Sequence, residues 1–223
     1  MSLVDRAKSI ILQPGASLPA FAAEPATAGN LYQSYIMPLA AIPAIASFIG
    51  LSLVGVWIPL VGTFRYPFVG GVAHAIVHWV LALVAVFIFA MIVDALAPRF
   101  GAMRDPIGAL KTVAVASTPG WVAGVFGILP PLAILQLLGA LYGLYLLYLG
   151  LPIFMRAPRD RAGAYAIVSI LVGIAISIVL AVVLGLAQRV LPGGPHSITA
   201  DASGAAIGTA IAAKVLSNAA GGG

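Results

Sequence analysis

Five long apolar stretches, separated by short polar breaks rich in proline, glycine and arginine, set the pattern of this chain. A helix rises about 1.5 Å per residue, so crossing about 30 Å of hydrocarbon takes roughly 20 residues. The pattern predicts membrane-spanning helices over residues 35–61, 72–96, 107–129, 132–154 and 164–186. The breaks carry Arg65 and Pro67, then Arg99, Arg104 and Asp105, then Arg159, Asp160 and Arg161; only the Pro130-Pro131 turn is uncharged. Ahead of the spans, Leu3, Val4, Ala7, Ile10 and Ile11 interleave with Asp5, Arg6 and Lys8. That spacing gives a short amphipathic helix on the cytoplasmic leaflet within residues 1–34, or else a frayed tail. Residues 35–191 then form the membrane domain, and the Gly-, Ala- and Ser-rich residues 192–223 a flexible external extension.

Composition strengthens this picture. The chain is 62% hydrophobic and 8% charged, with a mean hydropathy of +1.12. Globular domains carry about a quarter charged residues, so this is an all-α integral membrane protein, a five-helix transmembrane bundle. The net charge of +5 is informative through its placement. With five spans, one side holds seven basic residues, Arg6, Lys8, Arg99, Arg104, Arg156, Arg159 and Arg161, and the other three, Arg65, Arg189 and Lys214. The positive-inside rule puts the N-terminus in the cytoplasm and the C-terminus outside. The start of the chain lacks the long apolar core of a secretory signal, since Pro14 and Gly15 interrupt it, and it reads as mature protein. There is no cysteine, which excludes disulfides, thiol nucleophiles and Cys-ligated metals. No basic domain surface points to nucleic acid.

Candidate chemistry lies inside the spans. Lys111 falls one turn into the third span, and Asp94 lies near the end of the second, at nearly the same depth in an antiparallel neighbour. An intramembrane charge pair is the economical expectation, with snorkelling of Lys111 to the headgroups as the other reading. Ser117, Thr118, Pro119 and Gly120 predict a kink or break in the middle of the third span. Gly139 and Gly143 stand in GxxxG spacing, and Ser169, Gly173, Ser177, Ala181 and Gly185 place a small residue at every fourth position of the fifth span. Such stripes let helices approach closely, within the bundle or between copies. His74 and His78 share one face near the outer end of the second span, and Tyr142, Tyr145 and Tyr148 recur at three-residue spacing in the fourth. The histidines lack a carboxylate or thiol companion, so neither a metal nor a cofactor is expected. No nucleophile–base pair, phosphate loop or carboxylate dyad occurs, and enzymatic activity is not expected.

The stretches "YQSYIMPLAAIPAIASFIGLSLVG", "VDALAPRFGAMRDPIGALKTVAVASTPGWVAGV" and "LYGLYLLYLGLPIFMRAP" resemble the bacterial branch of the Yip1 family, over roughly residues 10–186. The second stretch is the most specific, joining Asp94, Pro98, Lys111, Thr118 and Pro119. The resemblance implies five spans with a cytoplasmic N-terminus, in a bacterial inner membrane. Eukaryotic relatives associate with prenylated Rab GTPases and with one another. Their acidic Asp-Leu-X-Gly-Pro signature is absent here, so a Rab-type GTPase is not an expected partner. The expected role is a non-enzymatic protein that organises membrane partners or lipids. The alternative is a small channel or transporter, with a polar path through Asp94, Lys111, the kinked third span, the histidines and the tyrosines.

Overall fold

The computed structural model describes residues 2–58, 62–129, 132 and 134–190, and these form a helical bundle with one short strand pair. Pro59, the Pro130-Pro131 turn and the 192–223 tail lie outside the described residues. Two helices, α1 (Leu3–Leu12) and α2 (Pro14–Ala23), precede the first long one. The Ser2 hydroxyl caps α1 by accepting from the Asp5 N–H at 3.1 Å. Pro14 opens α2 in its first turn, where an N–H has no helical partner in any case.

The first span begins and ends earlier than its apolar run suggests, at Ala28 and Val54. It comprises α3 (Ala28–Leu31), a π-helical turn (Tyr32–Ile36), α4 (Met37–Phe48) and a second π turn (Ile49–Val54). Pro38 and Pro43 do not break it. The π turn before Pro38 lets the Met37 N–H bond to Tyr32 O, which rephases the ladder around the ring. Gly55, at φ 87°, ends the span in a conformation that side-chain-bearing residues rarely adopt. Beyond it, β1 (Val56–Ile58) pairs antiparallel with β2 (Gly62–Phe64), Trp57 opposite Thr63. The β-branched and aromatic residues there suit a strand better than a helix end.

The rest of the bundle is α5 (Phe68–Leu96), α6 (Pro106–Ala123), α7 (Ile134–Phe154) and α8 (Arg159–Val190). Among the described residues, four stretches are long and apolar enough to cross a membrane: Ala28–Val54, Phe68–Phe100, Ile134–Phe154 and Arg159–Ala187. The expected third span, α6, does not meet that measure, so four of the five expected spans do. The reason is its position. Twelve of the eighteen α6 residues are buried, against α1, α4, α5 and α7. A helix surrounded by protein needs no lipid-facing stripe and tolerates Lys111, Thr112 and Thr118. In α8 the reverse holds: Ile167, Leu171, Ile174, Ile178 and Val182 are all exposed, as a lipid-facing helix requires.

Candidate functional site

Lys111 is 4% exposed, and its three ammonium protons meet three backbone carbonyls at the end of α2: Phe21 at 2.9 Å, Ala22 at 3.2 Å and Glu24 at 2.6 Å. The last carbonyls of a helix have no intrahelical donor and carry the negative end of its dipole. A lysine reaching over from α6 satisfies these at once, and the carbonyl dipoles stand in for a counter-ion. The Lys111 nitrogen also lies 5.3 Å from the centre of the Phe21 ring. That ring packs edge-on to Phe154 at 6.2 Å and against Tyr35 at 5.7 Å. At the same end, Arg6 bonds Glu24 at 2.7 Å and lies 4.8 Å over the same Phe21 ring.

The latch holds a hairpin that lies along the bundle. Tyr142 donates to Ile11 O at 2.7 Å near the hairpin tip, while Phe21 sits by Phe154 at its root. Tyr142 and Phe154 stand about 18 Å apart along α7 by the rise per residue. The α1 helix is therefore packed lengthwise with α2, and not laid across the end of the bundle as its amphipathic spacing suggests. Ile10 and Leu18 are fully buried in the common core, while Val4 remains 72% exposed.

Asp94 and Lys111 do not pair. Asp94 Oδ2 accepts from Arg104 Nε at 3.3 Å, and its Oδ1 is buried without a hydrogen bond. Beside it, the Tyr165 hydroxyl of α8 donates to Val93 O. Counting residues along the two helices does not decide the partner: Lys111 turns to α2, whose helix end offers three acceptors together. Because the Arg104 side chain is largely exposed, Asp94→Asn should change stability by less than about 1 kcal/mol. Thermal unfolding of the purified protein checks this, and a larger loss would mean that the carboxylate has a stronger role than its one ion pair gives it.

The Ser117–Gly120 stretch does not break α6, which runs through Pro119 to Ala123. The Thr118 hydroxyl donates to Ala114 O at 2.8 Å and bonds the Tyr35 hydroxyl at 2.7 Å, which fixes the proline turn against the first span. Ser117 instead borders an apolar cleft of about 460 Å³ between α5, α6, α7 and α8, which Gly120 also lines. A Cβ on Gly120 would touch nothing within 4 Å. In α7, Gly139 and Gly143 back onto the α6 main chain at Pro119 O and Ala116 O. Of the α8 stripe, Ser169 is buried and Gly173 lies against Phe89, Ser177 bonds Gly173 O at 2.8 Å, Ala181 is exposed, and a Cβ on Gly185 would meet open space.

The remaining polar candidates are dispersed. His74 and His78 stack with ring centres 6.3 Å apart, and His74 lies beside Tyr66. No group of three metal-ligating side chains occurs among the described residues. Tyr142 serves the hairpin, whereas Tyr145 and Tyr148 are about half exposed on the outer surface of α7. Sequence reasoning missed Phe21, Glu24 and Arg6. The signal available for them was the charge-free run from Pro14 to Ala23, which a solvated tail would not need.

These features define a polytopic helical membrane protein whose N-terminal hairpin is locked to a central, protein-enclosed helix. The Yip1 domain model matches residues 8–193, and the chain belongs to the Yip1 family. The matched region takes in most of the hairpin together with Lys111. Two relatives, each named Inner membrane protein YohC, come from Escherichia coli strain K12 and from E. coli O6:H1. Each is 25% identical over 164 residues, covering 72% of this chain and 82% of the relative. No solved structure matches the chain.

Proposed function

We propose that this Yip1-family protein is a non-enzymatic organiser of partners or lipids in the bacterial inner membrane. On this reading α6 is the third of five crossings, shielded from lipid by its neighbours, and the N-terminus faces the cytoplasm. The excess of basic residues on that side supports the orientation. The hairpin enters the bilayer from the cytoplasmic side and returns to it, its backbone ends satisfied by Lys111 as the interior of a bilayer demands.

One observation carries the choice of an organiser over a channel: the two intramembrane charges are committed to separate structural tasks. Lys111 is spent on three carbonyls and Asp94 faces Arg104, so neither is left to relay an ion to the other. The test is ion and proton flux in liposomes holding the purified full chain, with Asp94→Asn as the comparison. Flux no greater than in empty vesicles is expected. Flux that vanishes in a folded Asp94→Asn protein would replace this reading with a transport path.

A further inference from the structure

Beside the latch, at the end of the bundle where α2, α6 and α7 meet, lies an open pocket of about 420 Å³. Its walls divide by chemistry. Pro19, Ala22 and Ile153 make an apolar side, while Lys111 and Arg156 bring positive charge. The acid that lines it, Asp105, is already engaged: one carboxylate oxygen accepts from Ile107 N–H at 3.0 Å and Gly108 N–H at 2.9 Å, capping α6. Lys111 is hydrogen-bonded by neutral carbonyls and makes no ion pair among the described residues; the carboxylates of Glu24 and Asp105 act on it from nearby, but Lys111 and Arg156 together still outnumber the one acid of the lining.

Arg156 is the unusual member. Its backbone sits at φ 52°, the only positive value outside glycine among the described residues. It is exposed between fully or nearly fully buried neighbours, Met155 and Ala157, and Met103 N–H bonds Met155 O at 3.1 Å to pin the turn. Glycine would adopt this conformation without strain, whereas an arginine there carries a backbone cost. Its guanidinium forms no ion pair among the described residues, and the hydrogen bond it makes there goes to Met103 Sδ at 3.6 Å. A planar fork of donors without an acid, strained into place over a cationic pocket with an apolar wall, suits a phosphate whose other end is greasy.

We propose that this pocket binds the phosphate of an anionic phospholipid headgroup, Arg156 holding the oxygens and Lys111 adding charge from beneath, with the acyl chain along Pro19, Ala22 and Ile153. From Asp94 to Arg161 the chain carries six basic residues against three acidic ones, which raises the local concentration of anionic lipid at this end. The proposal rests on the organiser reading above and names the lipid class it acts on.

The experiment measures thermal unfolding of the full chain in detergent during titration with phosphatidylglycerol, phosphatidylcholine of the same acyl chains, or inorganic phosphate. Phosphatidylglycerol should raise the midpoint by about 5 °C and the other two should not. Arg156→Gly relieves the strained turn, so it should fold as well as the parent yet lose most of the shift; Arg156→Gln should lose it too. Arg159→Gln, outside the pocket, should keep it. A full shift in folded Arg156→Gly, or an equal shift from phosphatidylcholine, overturns the site. An equal shift from inorganic phosphate overturns the lipid assignment and gives the pocket to a soluble phosphate. None of these outcomes depends on flux, so a positive transport assay would remove the organiser reading while this measurement still decides the pocket.

Discussion

Lys111→Met is expected to release the N-terminal hairpin and to lower stability by about 3 kcal/mol, a loss built from three carbonyls left without a donor at about 1 kcal/mol each. Methionine keeps much of the stem volume, so the change isolates the ammonium group. Lys111→Arg should fail to restore the parent, because a planar guanidinium cannot direct three protons to a cluster of carbonyls around one point. The double exchange Asp94→Lys with Lys111→Asp should be worse than either single change, since it sets a carboxylate against the negative end of α2. Amide hydrogen exchange gives the specific readout: faster exchange should appear within Leu3–Ala23 before the spans loosen. If the exchange-labile region were instead the second span, or if the double exchange recovered stability, the charge pair expected from depth alone would be the better account.

That contrast shows what the sequence made legible. Depth along a span follows from counting residues, and the counting placed Lys111 and Asp94 at the same end of the bundle. Azimuth does not, because which way Lys111 points depends on an acceptor cluster ninety positions away in α2. Helix ends were readable where a charge or glycine marks them, as at Asp105, which caps α6. They were misread where an apolar run continues past the helix, as after Gly55, since hydropathy reports the solvent around a segment and not its backbone geometry. The same limit explains α6. Apolarity measures contact with lipid, and a helix that other helices enclose shows less of it while lying deepest in the core. The hairpin escaped notice because Pro14 reads as a breaker when it is in fact the first turn of a second helix. The strain at Arg156 had no signature at all, because positive φ is written in the sequence only when the residue is glycine.

Gly143→Ala should separate α6 from α7 and cost about 2–3 kcal/mol, more than a single added methyl usually does. The Cβ would collide with the carbonyl oxygen of Ala116, and a carbonyl inside the central helix cannot rotate away as a side-chain tip can. Gly139→Ala meets Ala123 Cβ at 2.5 Å and Pro119 O at 2.7 Å, so it should cost nearly as much. Gly150→Ala finds its nearest atoms at 3.3–3.4 Å on the side chains of Phe154 and Thr112, which can shift by a few tenths of an ångström, and should cost less than about 1 kcal/mol. Gly185→Ala meets nothing within 4 Å and should be neutral or stabilising by about 0.5 kcal/mol through helix propensity alone. The four substitutions add the same atom to helices of the same bundle, so differences in the unfolding midpoint in mixed micelles report packing and not chemistry. A graded loss in that order would locate the tightest helix contact at α6–α7, where no large side chain intervenes and backbones touch directly. Equal effects at Gly143 and Gly185 would mean that the loss comes from helix flexibility, and the close approach of the two helices would then not be what holds the bundle together.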